Sequence, residues 1–181
     1  MEVLLINGSS HREGNCASAL SLVGELLIRE GIETKRYSVS DFLPNGCNAC
    51  GGCRGGGGCI FGDISELSER FRHSSGIIVA APVFYGSPSG SVISLLDRLF
   101  QSSKFDKRMK VGASIVSARR GGCTASFDVI NKYFSISEMP IATSNYWNMI
   151  HTGGDGEGVE TLRRLSKNFA ALVHAIHSVR E

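Results

Sequence analysis

The chain has 181 residues, of which 42% are hydrophobic and 20% are charged, and its formal net charge is +2. This length fits one domain that buries about 70% of the surface exposed by the unfolded chain. The small net charge argues against a dedicated nucleic-acid or membrane surface. Residues 1–7 contain only four consecutive apolar residues, so we expect neither a signal peptide nor a membrane anchor. We therefore expect a cytoplasmic protein with reduced thiols, whose partners are small molecules or other proteins.

The N-terminal part of the chain alternates between strand and helix patterns. Residues 3–7 form a short apolar run that stops at a Gly-Ser-Ser turn, which predicts a strand buried on both faces. Apolar residues then recur at three- and four-residue spacing over 15–30, which predicts a helix that Gly31 ends. Residues 33–39 alternate weakly and predict a second strand at the edge of the sheet.

The cysteine-rich segment that follows contains four of the six cysteines, Cys47, Cys50, Cys53 and Cys59, with six glycines between them. Glycine allows positive φ and brings backbone N–H groups close to sulfur, so this composition predicts a ligand loop. The spacing C-x2-C-x2-C-x5-C fits a [4Fe-4S] cluster best, although ferredoxins place the fourth cysteine three residues on and follow it with proline. A zinc site and a loop with free or disulfide-bonded thiols remain as alternatives.

The second half of the chain continues the alternation of helices and strands. Asp63 predicts a helix N-cap, with Glu66 completing a capping box. Residues 76–81 are uniformly apolar, as a central parallel strand should be, and Ser89 predicts the cap of a third helix. The remaining predicted elements are strands at 111–117 and 140–143, a helix at 124–134, an irregular segment at 144–157 and a last helix with apolar residues from Leu162 to Ile176.

Five strands alternating with helices predict an α/β fold, a doubly wound five-stranded parallel sheet with helices on both faces. In such folds, ligands bind beyond the carboxyl ends of the strands. The loop at residues 8–15 lies there, at the start of a helix whose dipole favours an anion, and Ser9, Arg12 and Asn15 offer donors to phosphate oxygens. The alternative for this loop is a polar turn with a capped helix.

Four segments together resemble the flavodoxin-like NAD(P)H-dependent FMN reductases. They are GSSHREGNC at 8–16, PVFYGSPSG at 82–90, SARRGG at 117–122 and the cysteine motif, which is similar to that of the iron-sulfur flavoprotein branch of the family. The NYWN segment at 145–148 and the closing stretch from Gly158 also resemble that family. The resemblance implies one flavodoxin-like FMN-binding domain over 1–181, with a cysteine- and glycine-rich insertion at 44–62.

The resemblance also implies the roles of individual residues. The FMN phosphate would be held by the first loop, in which Cys16 replaces a threonine or serine and His11 replaces a common proline. The second loop would flank the ribityl chain and the isoalloxazine, and the third would approach the ring through backbone groups. The residues implied are Ser9, His11, Arg12, Asn15 and Cys16 in the first loop, Pro82, Val83, Phe84, Tyr85 and Gly86 in the second, and Ser117, Arg119, Gly121 and Gly122 in the third.

The expected function is that of an FMN-dependent oxidoreductase with NAD(P)H as co-substrate. Because the flavin supplies its own redox chemistry, no catalytic side chain is expected. The resemblance implies a homodimer or homotetramer and electron exchange with a small molecule or a protein such as ferredoxin, with a [4Fe-4S] cluster on the four loop cysteines. The alternative is a non-enzymatic FMN-binding electron carrier or redox-sensing module.

Overall fold

In a computed structural model, which describes residues 1–151 and 155–180, the chain folds around a parallel sheet. The strands are β1 (Glu2–Asn7), β2 (Glu33–Ser38), β3 (Gly76–Phe84), β4 (Ser87–Pro88), β5 (Val111–Ala118) and β6 (Met149–His151). Five of them are parallel in the order β2-β1-β3-β5-β6, and β4 forms a short antiparallel hairpin with β3. This is the strand order of flavodoxin-like folds, so the predicted fold class is confirmed.

In the described residues, five α-helices cover both faces of the sheet, namely α1 (Asn15–Arg29), α2 (Ser65–His73), α3 (Gly90–Ser102), α4 (Cys123–Ile136) and α5 (Gly156–Arg180). Helices α1 and α5 pack on one face, and α2, α3 and α4 pack on the other. Strand β1 shows why its sequence is apolar throughout. Its side chains Leu4 and Ile6 enter one core, Val3 and Leu5 enter the other, and all four are buried.

No helix within residues 1–151 or 155–180 is long and apolar enough to cross a membrane.

The strand predicted at residues 140–143 is wrong in position. Ile141 makes only an isolated parallel bridge to Gly112, and the fifth parallel strand is β6. Between these points the chain leaves β5, and the Asn148 side chain takes the place of backbone there. Its side-chain amide donates to the Ser114 carbonyl at 3.0 Å, a ladder position that a continuous strand would have filled with backbone. Ser144 holds the same amide by donating to its oxygen at 2.7 Å.

The two predicted side-chain caps are also wrong, although the buried faces of both helices are as predicted. Helix α2 begins at Ser65 after the N-cap residue Ile64, and no side chain caps it. The Asp63 carboxylate is instead bound by other groups, described below. Ser89 does occupy the N-cap position of α3, but its hydroxyl donates to the Gly8 carbonyl at 2.8 Å rather than capping the helix.

Candidate functional site

The loop after β1 is closed by a chain of short hydrogen bonds. The Asn7 side chain donates to the His11 carbonyl at 3.2 Å and accepts from the Ser9 N–H at 3.1 Å, and the Ser9 hydroxyl accepts from the His11 N–H at 3.2 Å. Gly8 lies so close to β3 that a β-carbon there would be 2.7 Å from the Ala80 carbonyl oxygen. The loop is therefore built against the central strand, at the carboxyl edge of the sheet.

The start of α1 is open to an anion. Its N-cap residue, Gly14, has no side chain to satisfy the first N–H groups, and the first turn contains no acidic residue. Asn15 is exposed at this position, whereas the Cys16 side chain is buried in the core. Burial raises the pKa of the Cys16 thiol to about 12 despite a backbone hydrogen bond that favours the thiolate. Cys16 therefore remains a neutral thiol, and its useful donor toward an anion is its backbone N–H.

Arg12 is held at the rim of this loop by an exposed ion pair. Its guanidinium lies 2.6 Å from the Asp41 carboxylate, and 65% of the Arg12 side chain is exposed. Asp41 in turn accepts from the Ser38 N–H at 2.8 Å, so the carboxylate is fixed and the arginine is the mobile partner. Exposed ion pairs contribute only about 0–1 kcal/mol, so Arg12 can exchange Asp41 for a phosphate at little cost.

The loop after β3 is a tight hairpin that exposes two aromatic side chains. Tyr85 and Gly86 have φ of 51° and 77°, the conformation of a two-residue type I′ turn between Phe84 and Ser87. Positive φ is unfavourable for tyrosine. Tyr85 is fully exposed and Phe84 more than half exposed. A strained turn with exposed aromatics beside an anion site is typical of a ligand-contacting segment.

The loop after β5 packs directly on this hairpin. Gly122 has φ of 91°, and a β-carbon there would lie 2.7 Å from the Gly86 Cα and 2.9 Å from Val83 Cγ1. Ser117 is buried, whereas Arg119 and Gly121 are exposed to solvent. His151, at the end of β6, places its Nδ1 3.1 Å from the Ala118 carbonyl oxygen. The structure thus brings all three predicted flavin loops to one edge of the sheet, and the individual contacts with FMN stay predictions.

The cysteine-rich segment lies elsewhere, against the C-terminal half of α3. Five of its residues have positive φ, namely Ala49, Gly51, Gly56, Gly58 and Gly62. All four predicted ligands, Cys47, Cys50, Cys53 and Cys59, line one pocket of about 80 Å³. In the described part of the chain, no three cysteine, histidine or acidic side chains already stand in a ligating arrangement. The fold therefore gathers the four thiols around one space without fixing their final geometry.

A buried ion pair supports the wall of this pocket. Arg98 is 1% exposed and binds the Asp63 carboxylate through two hydrogen bonds of 2.6 and 3.0 Å, and it also donates to the Leu43 carbonyl at 2.9 Å. Burial opposes the charge of each partner, yet their mutual hydrogen bonds prevail. They lower the pKa of Asp63, assisted by the Leu43 N–H, and together with the nearby Cys59 they raise the pKa of Arg98.

Sequence reasoning missed Arg98 and Ser102, which also line the cysteine pocket. The sequence did contain a sign of their burial. Arg98 follows Leu95 by three positions and Ser102 follows Leu99 by three, so both lie on the inward-facing side of α3. Polar residues on an apolar stripe require buried partners. Ser89 and the pocket residues lie at opposite ends of α3, so roughly 18 Å of helix separates the flavin edge from the cysteine pocket.

Comparison with known proteins agrees with this arrangement. Residues 1–154 match the model of the NADPH-dependent FMN reductase family. The chain belongs to this family. This FMN reductase family member is 31% identical to an iron-sulfur flavoprotein of Methanocaldococcus jannaschii, over 97% of this chain and 99% of that protein. It is 29% identical to an iron-sulfur flavoprotein of Methanosarcina thermophila over the full length of both. The predicted family and its iron-sulfur flavoprotein branch are confirmed. The chain is therefore an FMN-dependent oxidoreductase.

Solved structures similar to this FMN reductase family member establish the fold. A flavodoxin from the domain Archaea matches with a TM-score of 0.69 at 15% identity, over 96% of this chain and 99% of that one. Flavodoxin 1 from Bacillus cereus matches with a TM-score of 0.65 at 13% identity, over 94% and 98%. At these identities the likeness concerns the fold alone.

Proposed function

We propose that the chain is an iron-sulfur flavoprotein that exchanges electrons between a soluble donor and acceptor through bound FMN and a [4Fe-4S] cluster. The observation that carries the proposal is the gathering of four cysteines around one pocket in a chain whose three strand-end loops form an anion-binding edge. The names of its relatives support the same combination. We further propose one FMN-binding domain, in which residues 44–62 are an insertion, and a cytoplasmic location.

The residues at the carboxyl edge fit FMN. The open start of α1 would hold the phosphate through backbone N–H groups, with Ser9, Asn15 and Arg12 as side-chain donors. The loop after β1 provides a site for one phosphate group. FMN carries one and FAD carries two, so this loop favours FMN over FAD. The hairpin at 82–88 would flank the ring, and the loop at 117–122 would approach it through backbone groups.

The cysteine-rich segment fits a cluster better than it fits zinc. All four sulfur donors come from one glycine-rich loop, whereas structural zinc sites usually draw two separated pairs. The positive φ of its glycines allows backbone N–H groups to approach the sulfurs, which would favour anionic thiolates. Cys53 donates to the Gln101 carbonyl with 3.6 Å between sulfur and oxygen. Because a ligand cysteine is deprotonated, this contact would be lost on metal binding.

The two groups would supply the redox chemistry, and the protein would supply binding, orientation and electrostatics. Flavin accepts a hydride and releases single electrons, and an iron-sulfur cluster carries one electron at a time. The exposed Phe84, Tyr85 and Trp147 leave room on the flavin side for a flat donor such as a nicotinamide.

The experiment is steady-state NADH and NADPH oxidation by anaerobically purified protein, with a quinone or ferricyanide as acceptor and flavin, iron and sulfide quantified. We expect oxidation that depends on bound FMN. Protein that binds FMN and a cluster but oxidises neither nicotinamide would support the second candidate, an electron carrier reduced by another redox protein. The relatives' names specify iron, sulfur and flavin, whereas the name of the family specifies NADPH, so the assay decides between the two candidates.

A further inference from the structure

Two buried hydrogen-bond donors in the cysteine pocket have no partner among the residues that the structure describes. They are Arg98 Nε and Ser102 Oγ. Both side chains are at least nine-tenths buried, with exposures of 1% and 8%. They stand four residues apart on α3, hence on one face of the helix, and both line the pocket formed by the four cysteines. Leaving a buried donor unpaired costs about 1–3 kcal/mol, so each requires an explanation.

Neither donor bonds to a backbone carbonyl among the residues that the structure describes. Nη1 of Arg98 donates to Asp63 and Nη2 donates to both Asp63 and Leu43, which fixes the plane of the group while Nε stays without a partner. A buried helical serine can satisfy its hydroxyl by donating to the carbonyl four residues earlier, as Ser166 does to Leu162 at 2.9 Å. Ser102 makes no such bond within residues 1–151 and 155–180.

We propose that Arg98 Nε–H and Ser102 Oγ–H donate hydrogen bonds to the sulfur atoms of the cluster bound by Cys47, Cys50, Cys53 and Cys59, and thereby raise its reduction potential. This inference rests on the proposed cluster. Sulfur is the only acceptor that the pocket would gain on loading, because its lining offers thiolates and the cluster offers sulfides. Reduction adds negative charge to these sulfurs, so donors and a fixed positive charge beside them favour the reduced form.

The two residues would act as positioning residues rather than as ligands. Arg98 is anchored by Asp63 and Leu43, so it presents a fixed charge and a fixed N–H direction. Ser102 adds a neutral donor one turn further along the same face. A residue with a purely structural role would affect the cluster-free protein when it is replaced. Among the described residues, Ser102 Oγ has no hydrogen bond to lose in that state, so we expect its effect only when the cluster is bound.

The test compares Ser102→Ala, Arg98→Lys and the double variant with wild type, and uses Ser126→Ala as the matched control. Arg98→Lys keeps a positive charge for Asp63 but removes the Nε–H. Ser126 is also a fully buried serine with no hydrogen-bond partner for its hydroxyl in the described ranges, but it lies on α4 and does not line the cysteine pocket. Each protein is reconstituted anaerobically with iron and sulfide, and the cluster is titrated with dyes of known potential.

In the cluster-free state, we expect Ser102→Ala and Ser126→Ala to melt at or above the wild-type temperature, because each removes an unpaired buried hydroxyl, and to bind FMN as wild type does. In the loaded state, we expect Ser102→Ala to lower the ratio of reduced to oxidised cluster several-fold at a fixed potential. The double variant should lower it about tenfold, equivalent to about 59 mV for a one-electron couple. Resonance Raman bands of the iron–sulfur bonds should shift in D2O for wild type and shift less in the double variant.

The possible failures are distinct. A wild-type protein that assembles a cluster, with Ser102→Ala and the double variant both at the wild-type potential, overturns the inference and leaves the proposed function intact. An equal shift in Ser126→Ala also overturns it, because the effect would then not belong to the pocket. A wild-type protein that binds FMN but assembles no cluster under these conditions overturns the proposed function, and the inference with it. If Arg98→Lys fails to fold, Ser102→Ala alone decides between these outcomes.

Discussion

Replacing Gly122 by alanine tests whether contact between two strand-end loops builds the flavin site. Gly122 has φ of 91°, and a β-carbon there would stand 2.7 Å from Gly86 Cα and 2.9 Å from Val83 Cγ1. The backbone conformation alone costs alanine about 1–3 kcal/mol. The clash adds to this cost, because its nearest atom is backbone and cannot rotate away. Either the hairpin at 82–88 or the loop at 117–122 must therefore move.

The expected result is a loss of both stability and FMN affinity. For a chain of this size, about 1–3 kcal/mol corresponds to a fall in melting temperature of roughly 2–12 °C. Displacing the hairpin should weaken FMN binding at least tenfold, or about 1.4 kcal/mol. The assay is quenching of flavin fluorescence on titration into apoprotein, with the melting temperature measured by circular dichroism.

Gly121→Ala provides the matched control for this variant. Gly121 is the adjacent residue, its φ is not positive, and no heavy atom would lie within 4 Å of an added β-carbon. We expect this variant to keep the wild-type melting temperature, so a fall seen only in Gly122→Ala belongs to the clash. If Gly122→Ala binds FMN as tightly as wild type, the packing of the two loops has no part in the flavin site and our account of this edge is wrong.

Three further predictions follow from the same geometry. Arg12→Ala should weaken FMN binding by about 1.5–3 kcal/mol if its guanidinium makes a charge-assisted bond to the phosphate, and an unchanged affinity by fluorescence titration would remove it from the site. Asp63 has a lowered pKa in the folded chain, so its pairing contributes stability above the unfolded value near 3.9 that is lost as pH falls through the folded value. Acid unfolding of wild type should thus include a step that Asp63→Asn lacks, and equal pH profiles would contradict this. The exposed rings of Tyr146 and Trp147, whose centroids lie 4.8 Å apart, predict at least a dimer in sedimentation at micromolar concentration, and a clean monomer would refute this.

The sequence predicted the parts of the fold that depend on local pattern. The continuous apolar run at β3 predicts burial on both faces, and the spacing of Leu95, Leu96 and Leu99 predicts the inner face of α3; both are confirmed. The position of the last strand could not be predicted in this way, because it depends on the Asn148 side chain replacing backbone in the ladder with Ser114.

The same distinction applies to the sites. Loop order along the chain predicts that three loops share one edge, since the carboxyl ends of adjacent parallel strands meet there. The partners of Asp63 could not be read locally. A capping box needs residues three apart, whereas the bond that Asp63 makes is to Arg98, thirty-five residues away. Such long-range pairing competes with local capping. It produces no recognisable spacing of residues along the sequence, so it cannot be predicted from the sequence pattern.

The measurement that tests the central claim most directly is anaerobic reconstitution with iron and sulfide, followed by quantification of iron, sulfide and FMN per chain. The account predicts about four iron and about four sulfide per chain in wild type. Cys50→Ser should lose them while keeping FMN, because the flavin loops come from other parts of the chain. Cys123→Ser, which replaces a buried cysteine outside the pocket, should keep the cluster. Wild-type protein that holds FMN but binds no iron and sulfide would contradict the account, and it would leave an FMN reductase whose cysteine-rich segment has another role.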